Sequence, residues 1–142
     1  MIALEGCNLF LAKPKEFVKG ATFYNTGTSL PPGERMQKIL LALSLADGKR
    51  VWSYPQIGPG NSWAGTLTTA GGLVFFGDDS NSFEAAEATT GLVLWHFNTG
   101  QLMRASPMTY SVAGVQYVAI AAGSDVFCFS LSTDSSPVHQ VQ

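Results

Sequence analysis

Three observations predict an all-β chain built of consecutive four-stranded antiparallel units. From Ile39 to Leu131, short β-rich runs alternate with turn signals, spaced as strands of an all-β domain are. Within that region the chain repeats itself after 43 residues, Gly48 falling on Gly91 and Trp52 on Trp95. Charge is scarce: 13% of the 142 residues are charged and 46% are apolar, against roughly 25% charged in an average soluble domain. Such a composition excludes an intrinsically disordered chain and calls for extensive burial. The length is that of one ordinary domain, enough to bury a core.

Taken in order, the opening MIALEGCNLF carries an acid where a secretion signal needs a basic start, so no export signal is expected. Residues 13–38 hold three of the seven prolines and three glycines with little periodicity, which predicts a long surface loop. Residues 39–131 then give the runs ILLALSL, KRVWSY, GTLTTA, LVFFG, SFEAAEA, LVLWHF, ASPMTYSV, QYVAIAAG and VFCFSL, punctuated by DG, GPGN, AGG, DDSN, TTG, NTG and AG. Residues 132–142, STDSSPVHQVQ, have too little apolar surface to order themselves and are expected to be a flexible tail. The longest apolar stretches, Ile39 to Ala46 and Tyr117 to Ala122, fall far short of the roughly 20 residues of a membrane-spanning helix, so no transmembrane segment is expected.

The net charge of −2 argues against a nucleic-acid partner. Its distribution is uneven, +3 over residues 1–52 and −5 over the remainder, and Lys13, Lys15 and Lys19 read as solvated loop charges. Cys7 and Cys128 lie far apart in apolar strings and near neither His96 nor His139, which excludes a zinc-ligand spacing and predicts two buried free thiols. GPGNSWAG has Trp63 where a dinucleotide loop needs its third glycine. DDSNS, residues 78–82, lacks the central Gly and closing Glu of a calcium loop and reads as a hairpin turn. No Gly-x-Ser-x-Gly elbow is present, so nucleophilic hydrolysis is unsupported.

The repeat carries most of the information. LLALSLADGKRVWSY, residues 40–54, aligns without gaps on FEAAEATTGLVLWHF, residues 83–97, and LVFFGDDSNSFEA from Leu73 aligns on YVAIAAGSDVFCF from Tyr117 at an offset of 44. A period of 40 to 45 residues in short antiparallel strands is one blade of a β-propeller. Each conserved piece has a physical task within the repeat. Gly48 and Gly91 can take φ > 0 to close a tight turn, and the Trp four residues later can bury its ring against the neighbouring blade.

AAEATTGLVLW, residues 85–95, resembles the A-x-D-x-x-T-G-x-x-x-W docking motif of dehydrogenases dependent on pyrroloquinoline quinone (PQQ), with Glu87 in place of the Asp. ALSLADGKRVW, residues 42–52, resembles it more loosely. Residues 63–100, together with ASPMTYSVAGVQYVAIAAGSDVFCFSL, are similar to the carboxy-terminal end of a PQQ-dependent alcohol dehydrogenase, and EGCNLFLAKP near the start also looks like that family. The resemblance implies that residues 1–131 are the C-terminal blades of an eight-bladed propeller whose N-terminal blades are missing here. It further implies a periplasmic enzyme with PQQ held on the axis above Ca2+, a small alcohol as substrate, a cytochrome c-type electron acceptor, and haem c in a fused domain or partner. The calcium ligands and catalytic aspartate of the family match no stretch of this chain, so no catalytic or metal residue is assigned.

The resemblance places Trp63-Ala64-Gly65 at the axial end of the propeller, near the quinone. There an indole can offer a flat apolar face to an aromatic tricarboxylate, and backbone N–H groups can meet its oxygens. Trp63 and Ala64 are therefore candidate cofactor contacts, as is Gly123 with Ser124 at the corresponding end of the last blade, and each has a plain packing role as its alternative. Two functions compete: a PQQ-dependent dehydrogenase segment, and a non-enzymatic propeller of the same repeats acting as a binding or assembly scaffold. The segment WAG followed by TLTTAGGLVFFGD favours the enzyme, because a scaffold needs only the repeat's Ala, Gly and Trp.

Overall fold

The computed structural model describes residues 18–20, 38–58 and 63–131, with the backbone of three short strands nearer the N-terminus. Those strands are β1 (Ile2–Glu5), β2 (Leu9–Phe10) and β3 (Thr28–Ser29). They are followed by β4 (Ile39–Leu43), β5 (Arg50–Pro55), β6 (Leu67–Thr68), β7 (Leu73–Gly77), β8 (Ser82–Glu87), β9 (Val93–Asn98), β10 (Met108–Val112), β11 (Val115–Ala122) and β12 (Asp125–Ser130). Each of the nine runs anticipated between 39 and 131 contains one strand, and no described residue is helical. The chain divides into two compact units, Met1–Gln56 and Ile57–Gln142.

In the first unit β1, β4 and β5 form an antiparallel sheet in that order, and β2 pairs with β3. Thr28–Ser29 is thus a strand inside the segment read as loop; its two residues are too few to show the alternation that marks a strand in sequence. The flexible-tail reading of 132–142 lies outside the described residues, as does most of the loop reading of 13–38.

The second unit holds two antiparallel sheets, β6-β7-β8-β9 and β10-β11-β12. Interior strand β8 is buried along almost its whole length, whereas edge strand β9 is exposed over most of its residues.

The repeat read in sequence is reproduced bond for bond. Ala42 pairs with Trp52 and Ala85 with Trp95, and each hairpin carries a register shift immediately after its Ala, where one extra residue on the outer strand strengthens the twist. Gly48 N–H donates to Ser44 C=O at 2.9 Å and Gly91 N–H to Glu87 C=O at 2.8 Å, with φ of 71° and 75°. The side chain four residues before each Gly braces the turn: Ser44 Oγ accepts from Ala46 N–H at 3.3 Å, and Glu87 Oε2 accepts from Thr90 Oγ1 at 2.5 Å. The gapless offset of 44 holds only through β11. The β7–β8 turn uses three residues beyond the Asp78 and Ser82 hydrogen bond, with Asn81 at φ 68°, while β11–β12 turns on Gly123 and Ser124 alone. Consequently Ala85 corresponds to Cys128, both pairing with matched positions of β7 and β11.

The two sheets of the second unit meet through aromatic rings. Phe83, fully buried, lies 5.9 Å from Phe75, 6.2 Å edge-on from Trp95 and 5.7 Å from Phe129 of the other sheet. Trp95 meets Phe129 at 5.0 Å in a T-shaped pair, and Phe97 touches both Phe127 and Phe129. Trp95 therefore packs on the adjacent sheet, as the repeat suggested, but 38% of it stays exposed rather than buried. Beneath the rings lies an aliphatic core of Ala64, Met103, Val118, Ile120 and Ala122.

Alternation along β12 decides the fate of Cys128. Phe127 and Phe129 face the core, so the residue between them points outward, and Cys128 is an exposed free thiol rather than the buried one its apolar string suggested. Its Sγ lies 3.0 Å from the Tyr110 hydroxyl, a contact that raises the Tyr110 phenol above the usual range. Cys7 lies outside the described residues.

Two measurements check this packing. Phe83→Ala should cost about 3–5 kcal/mol of unfolding free energy in a denaturant titration, and Leu94→Ala on exposed β9 no more than about 0.5 kcal/mol; equal effects would contradict the placement of the core. Native protein should show a rapid Ellman's phase that Cys128→Ser removes, while denatured, unreduced protein should titrate as two thiols, as the sequence reading expects.

Candidate functional site

The connection between β9 and β10 organises an open groove. It begins with a turn in which Gly100 takes φ 70° and its N–H donates to Asn98 Oδ1 at 2.7 Å. The buried Thr99 anchors it: its N–H donates to Asn81 C=O at 2.9 Å, and its hydroxyl lies 2.8 Å from the carbonyl oxygens of both Asn81 and Gln101. Gln101 then reaches across to the β11–β12 turn. Its Oε1 accepts from Ser124 N–H at 3.3 Å and its Nε2 donates to Asp125 Oδ2 at 2.5 Å.

Residues 102–104 run as a short extended strip between two neighbours. On one side Met103 bridges Ala122 and Gly123 N–H donates to Leu102 C=O at 3.1 Å; on the other, Trp63 N–H donates to Met103 C=O at 3.2 Å. Met103 and Ala122 are fully buried in the core. Period-two alternation sends Leu102, Arg104, Ala121 and Gly123 to the opposite side, where together with Gln101 and Ala105 they line an open groove of about 610 Å³.

The three candidate residues thus lie on backbone tied to this strip. Trp63 is 71% exposed. Ala64 is buried as a whole residue in the core cluster that holds Met103, and it does not line the groove. Gly65 lies so close to Ser106 that a Cβ would collide with its hydroxyl. Gly123 lines the groove at φ 57°, and a Cβ there would run into the Gln101 amide; Ser124 contributes its N–H to Gln101 and stays exposed.

Sequence reasoning missed Gln101, Leu102, Arg104 and Ala105. The available signal was charge: Arg104 is the one Lys or Arg after residue 50, in a part of the chain that is otherwise acidic. It is exposed, and among the described residues no carboxylate pairs with it. The groove combines apolar walls, one cation and a glycine-lined edge, which suits a planar anionic ligand such as a quinone tricarboxylate. Among the described residues no group of three or more His, Cys, Asp or Glu gathers as a metal site.

Two antiparallel sheets packed face to face in the second unit, and a bulged Ala–Gly–Trp hairpin that recurs in β4–β5 and β8–β9, are the features of a β-propeller. Residues 56–118 match the β-propeller domain of the glucose/ethanol/alcohol dehydrogenases, the PQQ family. The chain is 37% identical over 108 residues to the quinoprotein alcohol dehydrogenase PedH of Pseudomonas putida, covering 75% of this chain and 18% of that protein. It is 39% identical to a 1-butanol dehydrogenase (cytochrome c) of Thauera butanivorans, over 66% of this chain and 13% of that protein. It also superposes on the crystal structure of the quinohemoprotein alcohol dehydrogenase of Comamonas testosteroni with a TM-score of 0.62 and 39% identity, over 70% of this chain and 15% of that one. The chain is a segment of the PQQ β-propeller family, and it spans less than a fifth of the length of each of these relatives.

The Gln101 bracket is open to test. Gly114→Ala and Gly123→Ala both place a side chain at positive φ, but a Cβ at Gly114 meets nothing within 4 Å. Gly114→Ala should therefore cost about 1 kcal/mol, and Gly123→Ala about 1 kcal/mol more because the Gln101 hydrogen bonds are displaced. In a Gln101→Ala background that excess should vanish, and its persistence would show that the bracket does not position Gly123.

Proposed function

We propose that this chain is the carboxy-terminal part of a PQQ-dependent dehydrogenase that oxidises alcohols or related small hydroxyl compounds and passes the electrons to a cytochrome c-type acceptor. The observation that carries this reading is that the matched propeller segment contains Trp63-Ala64-Gly65, hydrogen-bonded directly to the strip that lines the groove. PQQ, when bound, would supply an electrophilic carbonyl able to take up the two electrons and proton of the alcohol's C–H bond. The chain's own residues bind and orient. Trp63 offers an exposed indole face for stacking, and Gly123 forms part of the groove's edge, with the Gln101 amide packed against its main chain.

The metal ligands and the base that such a reaction needs belong to no residue of this chain on this reading, and the N-terminal blades of the parent supply them. The names of the relatives support an alcohol as substrate, and cytochrome c in one of them supports the acceptor. A haem c domain or partner and a periplasmic location complete the proposal; among the described residues no helix is long and apolar enough to cross a membrane.

Dye reduction with ethanol, in the presence of PQQ and Ca2+, provides the test. Residues 1–142 alone should give no turnover above the protein-free blank, whereas a longer polypeptide carrying this segment and the preceding blades should give ethanol-dependent reduction. Turnover by the isolated chain would place the active site within it, and silence from the loaded longer polypeptide would remove the dehydrogenase reading.

A further inference from the structure

Register places Arg104 where the preceding blade has Trp63. Leu67 of β6 pairs with Phe75, and Met108 of β10 pairs with Ala119. Phe75 and Ala119 are equivalent, since β7 and β11 correspond at the offset of 44 that sets Leu73 on Tyr117. Leu67 and Met108 therefore open their inner strands at the same point. Four residues earlier on each stand Trp63 and Arg104, followed by Ala64 and Ala105, then Gly65 and Ser106. Both leading residues are exposed, and the two rows lie side by side, because Trp63 N–H donates to the carbonyl of the residue just before Arg104.

We propose that Arg104 is a ligand-binding residue, the neighbouring blade's counterpart of Trp63, and that it holds a carboxylate of a planar aromatic acid seated in the groove lined by Leu102, Ala105, Ala121 and Gly123. The identification of that acid as PQQ rests on the proposed function; the carboxylate site does not. Several observations support the assignment. Arg104 lines the groove, and among the described residues no acid pairs with it. Asp125, the acid nearest the same turn, is held by Gln101 Nε2. The guanidinium fork is shaped to take a carboxylate by two parallel hydrogen bonds, and the remaining groove walls are apolar enough for a ring face. Gln101 acts as a positioning residue that fixes both Gly123 and the strip carrying Arg104.

Equilibrium dialysis with three probes tests the assignment: PQQ, its trimethyl ester, and benzene-1,3,5-tricarboxylate. Arg104→Gln should weaken PQQ binding about tenfold, the scale of one charge-assisted hydrogen bond, and Arg104→Lys should recover part of it. The ester should bind wild type and Arg104→Gln alike. Arg104 is exposed, so unchanged circular dichroism is expected in both variants. If Arg104→Gln binds PQQ as wild type does, or loses the ester equally, the proposal falls. If wild type takes no PQQ but binds the tricarboxylate in an Arg104-dependent way, the carboxylate site stands and the quinone reading fails. Binding of neither by wild type overturns both.

Discussion

The second unit depends on one aromatic contact, the meeting of Trp95 and Phe83 with Phe129 across two sheets. An isolated sheet of three or four short strands cannot bury enough apolar surface to offset the entropy of ordering its chain. Sheet β6-β7-β8-β9 gains that burial by laying Phe75, Phe83, Trp95 and Phe97 against Phe127 and Phe129. The bulge after Ala85 belongs to the same solution. It strengthens the local twist of the outer hairpin that carries Trp95, and the small Ala opposite the indole leaves room for it.

Much of this was legible because it is periodic. Glycines at positive φ, the Trp four residues on and the alternation of short runs are local requirements that leave the same residues at the same spacing in each copy, so Ala42–Trp52 and Ala85–Trp95 could be paired from sequence. What escaped was not periodic. A turn shortened by one residue between β11 and β12 sets Cys128, and not Phe129, at the position of Ala85, and among the described residues no further sheet covers that face of β12 as the sheet of β12 covers the face of Ala85. β1 and β3 went unread because a strand of two to four residues is defined by its partner, here β4 or β2, and not by its own pattern.

The candidate site was half legible for a related reason. Trp63, Ala64 and Gly123 stand out by type or by resemblance, and the structure brings the backbone of Trp63 and Gly123 to opposite sides of one strip. The strip itself, GQLMRAS, has no pattern of its own. Its geometry comes from tertiary hydrogen bonds at Thr99, Gln101, Leu102 and Met103, which a linear reading does not contain. Arg104 becomes visible as a counterpart of Trp63 only after β6 and β10 are set in register with their partners.

Core and groove are two sides of the same two backbone rows, 102–104 and 121–123. Met103 and Ala122 point inward with Ala64, and the residues alternating with them, Leu102, Arg104, Ala121 and Gly123, face the groove. The groove's edge is therefore positioned by burial rather than by contacts within it. This arrangement gives a ligand pre-set partners, since the cost of ordering the strip is met by folding and not by binding. It also separates the roles of neighbouring residues. A change at Met103 disturbs stability and site together, whereas a change at exposed Arg104 alters the groove's charge while leaving the core that supports it intact.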